Sequence, residues 1–378
     1  MTQQLFDSID PATIQGLEAV PSPALLVFYE RLESNLHEMI RIAGSADRLR
    51  PHCKTHKLAP VIDLELELGI TKHKCATIAE AEMLATCGVK DIFWAYPPVG
   101  PNIGRLQQLQ ERFPETHFQI TADDTSLLNQ LNQAAQSVDR PIEVLLDLDS
   151  GMHRTGVVPG PEAEQLYQEI HEHSHLIPGG LHLYDGHHRQ LDFQERLAAV
   201  KSGFEVAAAL ADRLEAAGNP VPRIVAGGTG SFPCFATIDD PRLELSPGTT
   251  VFHDAGYTRA FPEMKFAPAA WLLTRVISRP SPTRLTLDLG HKACAADPPA
   301  GKRLYFPGLP GAVEAMQNEE HLVLEMQDAD GFQVGDMLLC VPSHICPTTA
   351  VHQEVVVIRE ERVSESWAVG SRDRRITV

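Results

Sequence analysis

No CxxC pair occurs among the seven cysteines, at positions 53, 75, 87, 234, 294, 340 and 346, and their number is odd. This argues against a disulfide framework and leaves most of them as small buried hydrophobes. No run approaches the ~18 to 20 apolar residues of a membrane span. The opening Met1-Thr2-Gln3-Gln4-Leu5 lacks the basic and apolar parts of a signal peptide, so a cytoplasmic protein is expected. Positive charge is also scarce: 32 lysines and arginines face 50 aspartates and glutamates, a formal net charge of −18. Such a chain repels nucleic acid and anionic lipid, so neither a nucleic-acid nor a membrane partner is expected. An anionic substrate would need a local positive pocket. There is no low-complexity segment and no repeat of fixed period.

What is present is a globular composition, 43% hydrophobic over 378 residues, enough for one large core and a smaller one. From about residue 24 to 251, short apolar runs alternate with stretches of helical periodicity, the pattern of parallel strands joined by helices. Strands are expected at 49–53, 74–77, 91–95, 118–121, 142–147, 180–184, 223–226 and 244–252. Helices are expected at 30–43, where Leu32, Leu36, Met39, Ile40 and Ala43 share a face, and at 190–217, which Gly218-Asn219-Pro220 stops. Eight strands with intervening helices fit a closed (β/α)8 TIM-type barrel, which typically needs ~250 residues. A doubly wound open sheet is the runner-up. After about Pro262 the expected strands at 271–278, 284–289, 321–326, 337–341 and 354–358 have no long helices between them, as in an all-β domain. The expected division is therefore a segment 1–22 that can join the β domain, a barrel over 23–261, and a β domain over 262–378.

The most informative string is Arg50-Pro51-His52-Cys53-Lys54-Thr55-His56-Lys57, with a lysine between two histidines where a strand gives way to a helix. A lysine so placed can carry a covalent aldehyde cofactor, because neighbouring cations or burial help it shed its proton. The plainer reading is a solvated basic loop. In a barrel the chemistry gathers at the C-terminal strand ends, and the other notable strings fall there. Asp147-Leu148-Asp149-Ser150-Gly151-Met152-His153-Arg154 ends the fifth strand, and Tyr184-Asp185-Gly186-His187-His188 ends the sixth. Gly227-Gly228-Thr229-Gly230-Ser231 and Pro247-Gly248-Thr249 follow the seventh and eighth, where glycine backbone N–H groups and hydroxyls can close on a phosphate. His187 and His188 are candidate proton carriers, since imidazole titrates near neutral pH. In Ser343-His344-Ile345-Cys346, a histidine and a cysteine two apart on a strand would share a face and could bind one metal, with zinc favoured by the soft thiolate.

Taken together, these strings resemble the D-threonine aldolase and D-serine dehydratase family, which belongs with alanine racemase among the fold type III enzymes dependent on pyridoxal 5'-phosphate (PLP). The resemblance runs from Pro23 to His352. It implies a PLP-binding barrel followed by a β domain, with Lys54 as the Schiff-base lysine and Arg154 reaching the cofactor. It also implies Tyr184 near the pyridine ring, the PLP phosphate in the loops holding Gly228, Thr229, Gly230, Ser231, Gly248 and Thr249, and a divalent metal on His344 and Cys346. Manganese or magnesium would go with an aspartate in place of the cysteine. The strings Asp288-Leu289-Gly290-His291-Lys292 to Asp297 and Glu320-His321 resemble family elements without a derivable role. The implied substrate is a β-hydroxy D-amino acid, and a homodimer is expected with it. Cys346 resembles the dehydratase branch, which gives a slight preference for elimination of water over retro-aldol cleavage. A racemase and a non-catalytic PLP-binding protein remain as other classes.

Overall fold

The computed structural model describes residues 6–374. Residues 1–5, read above for their lack of a signal sequence, and residues 375–378 lie outside the described residues. The chain divides into two compact units. One takes Ile40–Lys54 and Val61–Gly248, and the other takes the residues up to Met39 with Thr55–Pro60 and Thr249–Arg372. This differs from the division expected at 23 and 261.

In the first unit, Lys72–Cys75, Asp91–Trp94, His117–Ala122, Ile142–Leu148, Leu176–Leu183, Ile224–Ala226 and Leu243–Leu245 pair in chain order. Every pairing is parallel. A parallel sheet covered on both faces needs apolar residues throughout rather than alternation, and all seven residues of Ile142–Leu148 are buried. Residues 49–53 fill the gap between the last strand and the first. Leu49 bridges Leu245 and His52 bridges Lys74, both parallel. The Arg50 N–H donates to the Leu245 carbonyl at 2.8 Å, and the Cys53 N–H to that of Lys74 at 3.0 Å. The segment therefore stands as the first strand of a closed eight-stranded barrel, as expected. Phe93, Leu145 and Val225 form a buried cluster within it.

Local chemistry sets the strand ends. The second strand stops at Cys75 because Thr77 caps the helix Ile78–Thr86, its hydroxyl accepting the Glu80 N–H while the Glu80 carboxylate accepts the Thr77 N–H. The long helix Phe193–Ala216 starts on the Asp192 cap and gives way to Gly218 at φ 87°. The eighth strand is shorter than the expected 244–252. Pro247 offers no N–H for a ladder, and the chain turns into the 3-10 helix Thr249–Val251.

The second unit is built on a mostly antiparallel sheet. Its strand order runs Val313–Gln317, Leu322–Glu325, Arg284–Leu287, Ala270–Ser281, Ala24–Phe28, Glu354–Arg359, Arg362–Ala368, with Met337–Pro342 beside Ala270–Ser281 and Leu304–Tyr305 beyond it. Ala24–Phe28 thus lies inside this sheet, antiparallel to Ala270–Ser281 and parallel to Glu354–Arg359. Its apolar residues belong to the core of Leu26, Phe28, Trp271, Leu273, Val341, Val356 and Ile358. Full burial of each such side chain contributes about 1.5–3 kcal/mol, so these residues, which fall within the expected barrel bounds of 23–261, stabilise the sheet of the second unit instead.

Candidate active site

The pairing of residues 49–53 on both sides fixes where the Lys54 side chain begins. Its Nζ lies 5.7 Å from the centre of the Tyr184 ring. The Arg154 guanidinium carbon lies 4.7 Å from the same centre. Tyr184 follows the sixth strand and Arg154 the fifth, so three strand ends converge on one ring. Glycine at 228 is part of this arrangement, since a Cβ there would come within 2.9 Å of Tyr184 Cε2. The turn that carries Arg154 is tied by Asp149, whose Oδ1 accepts the Gly151 and His153 N–H groups, each at 2.9 Å.

The two glycine loops meet through Thr229, whose hydroxyl accepts the Gly248 N–H at 3.2 Å. Gly230 lies in the turn that follows. Two hydroxyls expected on the phosphate have other partners. Ser231 Oγ donates to the buried Asp185 Oδ1 at 2.7 Å, so its hydroxyl hydrogen braces the loop. Thr249 belongs to the second unit and places its hydroxyl 3.5 Å from the Cys346 thiol. Gly227, Gly228, Ser246 and Gly248 give their N–H groups to Leu183 O, Ser231 Oγ, Ala226 O and Thr229 Oγ1, so the backbone donors these loops can turn to an anion lie at 230–231.

His187 and His188 stack with ring centres 4.1 Å apart. Burial lowers both, and the neighbouring imidazole lowers His188 further, to about 4. A Cβ on Gly151 would come within 3.1 Å of His187 Nε2, so the pair sits over the Asp149 turn.

Sequence reading missed Lys74 and His182, and with them the partners of Asp147, which opens the string at the end of the fifth strand. Lys74, on the second strand, has its Nζ 2.8 Å from His182 Nε2, and His182 Nδ1 lies 2.6 Å from Asp147 Oδ1. Burial brings Lys74 down to about 7, and the charges of Lys54 and Arg154 add to this against the pull of Asp147 and Asp185. His182 falls to about 4, through burial and then Lys74. The only sequence signal was a lysine and a histidine inside runs otherwise fit for a barrel interior.

The polar lining at this end of the barrel fits a polar cofactor such as PLP. Thr121 Oγ1, Ser150 Oγ, Asp185 Oδ2 and Ser246 Oγ are buried with no hydrogen-bond partner among the described residues. They lie at the C-terminal ends of the fourth, fifth, sixth and eighth strands. Buried polar groups without partners at the end of the barrel that holds Lys54 fit a polar ligand bound there.

In the second unit His344 and Cys346 do come together, but on different backbone from that expected. His344 is the N-cap of the short helix Ile345–Val351, so the pair sits on a helix start and not on a strand. His344 Nδ1 is 2.6 Å from Asp297 Oδ2, which gives a role to one of the strings that had none. Burial lowers His344, yet the hydrogen bond to Cys346 and the Asp297 carboxylate raise it overall, to about 9. Burial raises the thiol, whereas His344 and the Thr249 and Thr55 hydroxyls bring it below its ordinary value. A thiol drawn toward thiolate, beside an imidazole oriented by a carboxylate, fits a divalent metal in place of the shared proton. Among the described residues no cluster of three or more such side chains could hold a metal. Water or substrate would therefore complete the site.

Comparison with known proteins agrees with this geometry. The profile of the family described as "Alanine racemase, N-terminal domain" matches residues 27–254, and that of "Putative serine dehydratase domain" matches 269–358. A barrel with a lysine at the end of its first strand, followed by a β domain, is the class of PLP-dependent enzymes with the alanine racemase fold. The chain belongs to the alanine racemase N-terminal domain family, and within it to the D-threonine aldolase relatives. It is 30% identical to the D-threonine aldolase of Arthrobacter sp., covering 94% of each chain. It is 29% identical to the 3-hydroxy-D-aspartate aldolase of Paracoccus denitrificans (strain Pd 1222), covering 94% of this chain and 93% of that one. The crystal structure of D-threonine aldolase from Filomicrobium marinum superposes with a TM-score of 0.86 at 29% identity, covering 96% and 99% of the two chains. The chain is an enzyme of the PLP-dependent lyase kind.

Proposed function

We propose that the chain is a PLP- and metal-dependent lyase of β-hydroxy D-amino acids, with Lys54 as the cofactor lysine and His344 and Cys346 as metal ligands. The observation that carries the reading is that one chain holds two donor sets. Lys54 faces Tyr184 and Arg154 in the barrel, and His344, oriented by Asp297, meets a thiol in the other unit. When bound, PLP supplies an electron sink for negative charge at Cα, and a divalent metal supplies a Lewis acid for the hydroxyl on Cβ.

The chain's own groups do the rest. Arg154 and Tyr184 orient the ring of the cofactor, while the backbone N–H groups at 230–231 receive its phosphate. His187 and His188, neutral at neutral pH because burial lowers both, accept protons near the turn at Asp149. Thiolate and imidazole together favour zinc over manganese or magnesium.

Cys346 and the match to a serine dehydratase profile favour β-elimination, slightly. The second reading, retro-aldol cleavage, is supported by the aldolase relatives at 30% and 29% identity. A homodimer belongs to the same proposal, and a mass in solution of twice 41.5 kDa tests it.

Metal removal tests the division of labour. Exhaustive chelation, or His344→Ala, is expected to abolish turnover of the hydroxy amino acid while the visible absorbance of bound PLP persists. Undiminished turnover under both conditions would show that no metal on His344 takes part.

A further inference from the structure

A buried chain of three side chains inside the barrel has no part in the function proposed above. Asp147 Oδ1 lies 2.6 Å from His182 Nδ1, and His182 Nε2 lies 2.8 Å from Lys74 Nζ. All three residues are at least nine-tenths buried, with relative exposures of 5%, 4% and 3%. Hydrogen-bond logic orders the chain. An ionised Asp147 only accepts, so His182 donates through Nδ1 and must accept at Nε2 from the Lys74 amine. The aspartate thus fixes the tautomer, and the histidine fixes the lysine.

The charge of Lys54 acts on the far end of this chain. Burial is the largest influence on Lys74, and the second is the charge of Lys54, followed by Asp147, Arg154 and Asp185. The Phe93 ring centre lies 5.9 Å from Nζ. His52, two residues before Lys54, is the bridge partner of Lys74 on the adjacent strand, so the two lysines start from neighbouring backbone. Burying an unpaired ammonium is costly. A lysine buried here, held by a neutral imidazole and facing two cations, is placed to exist as free amine and as ammonium at ordinary pH.

We propose that Lys74 takes up and returns the proton Lys54 exchanges when it bonds to the cofactor aldehyde, with His182 and Asp147 as the positioning residues that fix it. As the Lys54 nitrogen bonds to the aldehyde carbon, the C=O π pair goes to the oxygen and one N–H proton leaves the nitrogen. The lone pair of the Lys74 amine accepts it, and the resulting ammonium donates to His182 Nε2. The ammonium then returns this proton to the former aldehyde oxygen, which leaves as water with the second proton of the nitrogen as the C–O bond breaks and C=N forms. Release of Lys54 by water runs the same steps backwards, and nothing is oxidised or reduced. Asp147 stays ionised throughout and stabilises the ammonium through the imidazole.

The inference rests on Lys54 being the cofactor lysine, so the experiment separates the two claims. Cofactor-free protein is mixed with PLP between about pH 6 and 9, the rise of visible absorbance gives the rate of uptake, and borohydride trapping with peptide mapping identifies the modified lysine. Trapping at a residue other than Lys54 removes the functional reading itself. With trapping at Lys54, the uptake rate of the unaltered protein should inflect near neutral pH. Lys74→Met and Lys74→Arg should each be slower by about tenfold or more, with the inflection gone. Arginine is the informative variant, because it keeps the charge and cannot release a proton. Uptake by Lys74→Arg at the unaltered rate and with the unaltered pH profile would overturn the relay. Should the Lys74 variants fail to fold, Asp147→Asn decides. Loss of its charge should move the inflection to lower pH, and an unmoved inflection would overturn the proposal.

Discussion

Gly228 has its role because of what it touches. A side chain there would press on Tyr184, the ring that Lys54 and Arg154 both face. Gly228→Val is expected to weaken PLP binding about tenfold or more, or ~1.4 kcal/mol, with a much smaller change in thermal stability because the position is at the barrel rim. A titration of cofactor-free protein with PLP, beside a thermal melt, checks this. Equal loss of stability with unchanged affinity would reduce the loop to a structural turn. At this scale the sequence was legible where strings resemble a known family, which is what singled out Lys54, Arg154 and Tyr184, three side chains that the fold makes neighbours. It was not legible where partners come from distant strands. Nothing local to Ser231 announces Asp185, nothing near Thr249 announces Cys346, and the Lys74–His182–Asp147 chain exists only once the second, fifth and sixth strands are side by side.

At the level of elements, the barrel closes through ions as well as backbone. Arg50, fully buried on the first strand, donates to Asp91 of the third at 2.7 Å and to Glu244 of the eighth at 2.5 Å. Burial opposes ionisation of both carboxylates, yet Arg50 holds each below its ordinary range. Their contribution is therefore complete above the unfolded carboxylate values, about pH 4, and is lost as pH falls through the lower folded values. Arg50→Ala leaves buried charge behind and should cost about 3–5 kcal/mol. It should also move acid unfolding to higher pH, which circular dichroism across a pH series would show. A wild-type acid transition in this variant would mean that the pairs do not secure the closure. Most of the barrel strands could be read from the sequence because they are apolar runs between turn signals, as Ile142–Leu148 is, whereas Lys72–Cys75, with its two lysines and a histidine, overlaps the expected 74–77 by only two residues. The strand Ala24–Phe28 is an equally clear run, but which sheet a strand joins depends on its partners, here Ala270–Ser281 and Glu354–Arg359, more than 240 residues away in the sequence. Val313–Gln317 and Arg362–Ala368 escaped because they are mostly exposed strands whose composition does not differ from that of a polar loop.

For the whole molecule, the formal charge of −18 works against an anionic cofactor or substrate, so binding depends on local cations and backbone donors. Lys54 and Arg154 supply that local charge in the barrel. Among the described residues no helix is long and apolar enough to cross a membrane. The central claim joins the two donor sets in one reaction, the barrel lysine through its cofactor and the His344–Cys346 pair through its metal. It is tested most directly by product analysis. The protein, loaded with PLP and zinc, is incubated with the D and L forms of serine, threonine and 3-hydroxyaspartate, and the products are separated. The account predicts consumption of D forms only, with 2-oxo acid and ammonia from β-elimination, or glycine and an aldehyde if the carbon–carbon bond breaks instead. Inversion of the amino acids without either product set would contradict it, and would make the chain a racemase.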